Sequence, residues 1–115
     1  MHDDSRPVYL RLRDIIASSI LDGTYGDGDM LPSVRAFAAQ QGANPLTVAK
    51  AYQSFQDEDL IAVRRGVGMF VAEGASRRLR TMEKKRFLTQ VWPPVADQMR
   101  RVGVTLSDLA ETEEA

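Results

Sequence analysis

The four-residue joint Gly42-Ala43-Asn44-Pro45 constrains this chain more than any other feature. Gly is favoured just past the end of a helix, Asn as an N-cap and Pro at the first helical position. One helix must stop and another start within four residues, which leaves no room for a strand between them. The helix before the joint is predicted from Ser33 to Gln41, with Ser33 as N-cap and Val34, Phe37 and Ala38 as its apolar face. The helix after it is predicted to run to about Glu58. Val48, Tyr52 and Phe55 mark its buried side, while Thr47, Lys50 and Ser54 share the other. Two helices joined this tightly are the signature of a helix-turn-helix.

The flanking segments complete a small domain. Pro7 to Leu21 reads as a first helix, with Tyr9, Leu12, Ile16 and Ile20 in one apolar stripe that Ile15 widens. Asp22 to Asp29 is a run of turn formers. Its Asp spacing loosely resembles a calcium loop, but the closing acidic residue is missing, so a plain loop is expected. Leu60–Val63 and Met69–Ala72 read as two short strands around Arg64-Arg65-Gly66-Val67-Gly68, a hairpin whose glycines suit positive φ. Two arginines at the tip of an exposed hairpin suggest a wing. Gly66-Val67-Gly68 is no nucleotide loop, since it lacks a third glycine and a following helix. Asp57-Glu58-Asp59 cannot converge on one metal ion from consecutive helical positions, and is expected to be a solvated helix end. Its charge opposes the dipole of that helix end.

The fold class expected is therefore α+β, a winged helix-turn-helix of three helices and a hairpin over residues 1–74. Residues 75–115 form a helical tail. Leu88, Trp92, Val95, Met99, Val102, Leu106 and Leu109 alternate steps of four and three, a heptad-like seam. Pro93-Pro94 is expected to break or kink it, Gly103 to end its second piece, and Thr105 to Asp108 to start a last helix with a capping box. A seam of this kind needs a partner, and a second copy is the simplest one; Trp92 would anchor such a homodimer interface.

Composition narrows the function. Cys is absent, which removes disulfides, thiolate metal sites and cysteine nucleophiles and fits a reducing cytoplasm. The single His, at position 2, is expected in a frayed terminus, so no His-based catalytic centre is available. The polar, acidic start is not a secretory signal, and no apolar run approaches the ~20 residues of a membrane helix. No enzyme, catalytic residue, cofactor, metal or membrane partner is expected. Net charge is −1, with seven Lys/Arg against ten Asp/Glu in residues 1–75 and eight against six in 76–115. A polyanion would have to be met by local clusters. Arg77, Arg78, Arg80, Lys84, Lys85 and Arg86 face only Glu83 in sequence; they either extend a phosphate footprint or keep the helix solvated.

Several segments together resemble the GntR family of bacterial transcription regulators: Leu31-Pro32-Ser33-Val34-Arg35, Asn44 to Tyr52, Leu60-Ile61 and Arg64 to Val71. The tail around Val102 to Ser107 is similar to that of the YtrA-type subfamily, whose members carry a short helical dimerisation segment. The resemblance implies a regulator, by default a repressor, that binds double-stranded operator DNA. It implies DNA contact for Ser33, Arg35, Asn44, Pro45, Thr47, Lys50, Arg64, Arg65, Gly66 and Gly68. Arg35 would reach a guanine edge through its bidentate fork; by composition alone it would be a solvated arginine. At the Asn44-Pro45 helix start, free backbone N–H groups and the dipole favour phosphate, although Asn44 can act as a cap as well. Tyr52 fits the core better than a DNA face. Two positions depart from the family pattern: Asp59 stands where glycine is usual, and Met69 where a hydroxyl residue is frequent. A small-molecule effector is an unidentified further partner. The alternative is a winged-helix protein-interaction module without operator binding. Some relatives are fused to an aminotransferase domain, but nothing here could hold its cofactor or supply its lysine.

Overall fold

A computed structural model describes residues 7–114; His2 and the acidic start lie outside the described residues. In chain order the elements are α1 (Val8–Leu21), α2 (Val34–Gln41), α3 (Pro45–Asp57), β1 (Ile61–Arg64), β2 (Gly68–Val71) and α4 (Ala75–Arg86). A π-helical turn (Phe87–Val91), α5 (Trp92–Val102) and α6 (Leu106–Glu114) follow. The chain forms two compact units that divide between Arg80 and Thr81. Among the described residues no helix is long and apolar enough to cross a membrane.

In the first unit α1 and α2 both pack on α3. The α1 stripe buries Leu12, Ile16 and Ile20 with Ala17, while Ile15 stays exposed; the core is reached on the Ala17 flank of the stripe. Val48, Ala51, Tyr52 and Phe55 of α3 are fully enclosed, and Phe37 of α2 meets the Tyr52 ring at 6.0 Å between centroids. The Tyr52 hydroxyl donates to the Pro32 carbonyl at 2.7 Å, which fixes the residue leading into α2. Burial, and secondarily the neighbouring Tyr25, push this phenol up to about 12, so it remains a donor across the physiological range.

Asp59 stands at φ +60°, the one non-glycine in the left-handed region among the described residues. The end of α3 nevertheless closes as a Schellman motif: Leu60 N–H donates to the Phe55 carbonyl and Asp59 N–H to that of Gln56. Asp tolerates this conformation better than most side chains. The Arg78 guanidinium also donates to the Asp59 carbonyl. Two carboxylates of the run have side-chain partners, Asp57 with Gln53 and Glu58 with Arg13 at 3.0 Å. Arg13 therefore answers the charge that Glu58 places at the end of the helix.

The hairpin is antiparallel, with Ile61 opposite Val71 and Arg64 opposite Gly68. Its other edge is covered by a segment that sequence patterning assigns to loop. Gly28 N–H donates to Val71 O, Val71 N–H to Asp29 O and Leu31 N–H to Met69 O, with a bridge between Met30 and Phe70. Asp27, in the same segment, reaches across the chain. Its carboxylate accepts from the N–H and hydroxyl of Ser76 and from the N–H of Gly74, capping the start of α4. The N–H of Ser76 and then that of Gly74 hold this carboxyl below its ordinary 3.8. A lowered folded value adds stability that is complete above the ordinary value and is lost as pH falls through the lowered one. Asp27→Asn should therefore unfold at lower urea than the parent near neutral pH, with the gap closing under acid; a gap that stays constant from neutral pH into acid contradicts the assignment.

In the second unit the helical path continues through Pro93-Pro94. The Trp92 N–H donates to the Phe87 carbonyl, five residues back, so a wide π turn rather than a break prepares the two prolines to open α5. Gly103 ends α5 in the left-handed region. Thr105 and Asp108 form the expected reciprocal capping box: the Asp108 carboxylate accepts from Thr105 N–H, and the Thr105 hydroxyl accepts from Asp108 N–H.

Candidate nucleic-acid interface

Three short segments carry the candidate residues, and each is set by local chemistry. At the start of α2 the Ser33 hydroxyl accepts from Ala36 N–H at 3.1 Å, as an N-cap should. Arg35 follows as the second residue of α2, exposed and without a hydrogen bond or ion pair among the described residues. Its helix start is held from beneath by the Tyr52–Pro32 bond.

At the start of α3 the Asn44 side chain accepts from Leu46 N–H at 2.8 Å, and the Asn44 carbonyl accepts from Thr47 and Val48 N–H at 3.0 and 3.1 Å. Pro45 has no N–H to offer. The expectation of free backbone N–H groups there is therefore corrected: Asn44 has already engaged them through both its side chain and its carbonyl. An anion at this helix start would have to be met by side chains, with the dipole still favouring it. Thr47 is half-buried and Lys50 exposed, with the Lys50 ammonium 4.0 Å from the centroid of the Tyr9 ring in α1. Tyr9 was legible only as part of an apolar stripe; its service to Lys50 required the tertiary packing of α1 on α3.

In the wing, the Arg64 guanidinium lies 4.5 Å over the Phe70 ring, while Arg65 is exposed and unpaired among the described residues. Gly66, at φ +79°, lets the chain reverse so that Val67 N–H donates to Arg64 O. At Gly68 a Cβ would stand 3.1 Å from the Met30 sulfur, so the Met30 thioether would have to give by a few tenths of an ångström. The structure brings Ser33, Arg35 and Gly68 together: they line one cleft of about 440 Å³ with Met30, Leu31, Val34, Val67 and Met69. Met69, half-buried in that wall, gives a thioether where a hydroxyl could have met a phosphate.

The basic run is not uniform. Arg78, though exposed, donates to the carbonyls of Asp59 and Glu73, and Arg86 pairs with Glu83 at 3.6 Å. Arg80, Lys84 and Lys85 remain exposed. In the second unit Leu88, Val95, Val102, Leu106 and Leu109 are exposed and Trp92 and Met99 half-buried. Phe87 and Val91, outside the heptad pattern, lie in the π turn and are exposed as well.

Comparison with known proteins bears on this arrangement. Residues 8–71 match the family model described as bacterial regulatory proteins, gntR family. An uncharacterized HTH-type transcriptional regulator of Bacillus subtilis, YhcF, is 32% identical over 107 residues, covering 93% of this chain and 87% of that one. The HTH-type transcriptional repressor YtrA of the same organism is 39% identical over 75 residues, 65% of this chain and 58% of its own. Among solved structures, a GntR family transcriptional regulator from Listeria monocytogenes superposes with a TM-score of 0.76 at 27% identity, covering 99% of both chains.

Proposed function

The chain belongs to the gntR family of bacterial regulatory proteins and is a DNA-binding transcription regulator; we propose that it occupies a palindromic operator as a homodimer. The observation that carries this proposal is Arg35: an unpaired guanidinium on a helix start locked from beneath, in a cleft shared with the wing. Its planar fork suits the O6 and N7 acceptors of guanine in the major groove. Ser33, Asn44, Pro45 and Thr47 line the helix starts that approach the same duplex. Lys50, Arg64 and Arg65 neutralise phosphates, and Gly66 and Gly68 let the wing backbone come close. Residues 1–74 serve as the DNA-binding domain. Residues 75–115 hold two copies together through the seam of Leu88, Trp92, Val95, Met99, Val102, Leu106 and Leu109, to which Phe87 and Val91 add area. Two half-sites about one helical turn apart, or a multiple of that, match such a dimer. Its work is cytoplasmic, and repression by occluding a promoter is the direction that the similarity to YtrA supports.

The charge count supplies a quantitative test. Three phosphate-facing cations in each of two copies predict that log affinity falls with log salt with a slope of about −5. Titration of an enriched duplex at several salt concentrations measures it. A slope near zero would remove Lys50, Arg64 and Arg65 from the interface.

A further inference from the structure

Resting on the operator reading above, we propose that Leu46 is a specificity-determining residue, one that selects thymine in each half-site through the 5-methyl group of the base. Leu46 is 80% exposed, the most exposed large hydrophobic side chain among the described residues. Single exposed leucines are ordinary on protein surfaces. This one stands at the second position of α3, between Pro45 and Thr47, at the helix start that the operator reading turns toward DNA. It lies off the core side of the helix, which is taken by the fully buried Val48 and Ala51. Its backbone is fixed: Leu46 N–H donates to the Asn44 carboxamide oxygen at 2.8 Å, so the side chain leaves from a capped, rigid turn. Pro45 before it stiffens the turn further.

The chemistry of the groove then narrows the target. An isobutyl group offers no hydrogen bond, and against the donors and acceptors of other base edges it would strip water without replacing it. The one apolar feature on the major-groove edge of a normal base pair is the thymine methyl. Contact between the two removes apolar surface from water on both sides. Arg35 and Leu46 would thus read different features of one half-site, a guanine edge and a thymine methyl.

Deoxyuridine tests this directly, because it deletes the methyl and leaves base pairing intact. Duplexes enriched from a random pool by the full chain are remade with each thymine of the half-site replaced in turn. At one position per half-site the parent protein should lose roughly fourfold in affinity, and roughly fifteenfold when both half-sites are changed. Leu46→Ala should bind the thymine and uracil duplexes equally at that position, with an unchanged thermal midpoint because the side chain is exposed. Enriched half-sites without a required thymine, or a uracil penalty of the same size in Leu46→Ala, would overturn the proposal while leaving operator binding intact. A pool with no enriched sequence would overturn the operator reading and this contact with it.

Discussion

Arg35→Ala should cost about 1–3 kcal/mol of operator affinity per half-site, roughly five- to 150-fold, with the losses adding across two half-sites. The side chain is exposed and unpaired among the described residues, so folding stability should not move. The loss should also be selective. If Arg35 reads a guanine, the variant relaxes preference at that base pair and leaves the salt slope nearly unchanged. Arg35→Lys should fail to restore the preference, because an ammonium cannot present two parallel donors to O6 and N7. Equal weakening on every sequence, with a shallower salt slope, would instead make Arg35 a phosphate contact. Affinity across single-base variants of the enriched site separates the two.

Phe55→Ala should produce the largest change in stability, with a mechanism unrelated to DNA. Phe55 is wholly enclosed, in the last turns of α3, and the Arg13 guanidinium lies 4.7 Å over its ring while pairing with Glu58. Truncation leaves a cavity and deprives Arg13 of its aromatic support. The loss expected is about 3–5 kcal/mol, much of the whole margin of a small domain. The melting midpoint should fall on the order of 20 °C. Calorimetry of the variant measures it. A drop of only a few degrees would mean that the core closes around the gap and that Phe55 is not central to it. The pair of variants is informative together, one losing DNA while fully folded and the other losing its fold with Arg35 untouched.

Much of this architecture is written locally in the chain. Ser33, Asn44, the Gly42 helix end and the Thr105–Asp108 box declare themselves through cap chemistry that operates over three or four residues, and each stands where its pattern places it. The hairpin strands lie within one residue of expectation for the same reason, since two glycines confine the reversal. What the pattern misses depends on distant partners. Residues 28–31 have no strand-like alternation; they extend because β2 offers a free edge. Asp27 looks like one more turn former, and its role is visible only once Gly74 and Ser76 arrive beside it. The expectation of phosphate-binding N–H groups at α3 failed because a single Asn supplies two acceptors to the same helix start. Leu46 was passed over because an apolar residue outside the stripe carries no polar chemistry to single it out.

Two copies of this chain should read one palindrome, and the native mass of the protein–DNA complex tests that most directly. With a duplex enriched from a random pool, the predicted result is two chains per duplex, reduced to a weakly bound single chain when one half-site is scrambled. A complex of one chain per duplex whose affinity ignores the second half-site would contradict it.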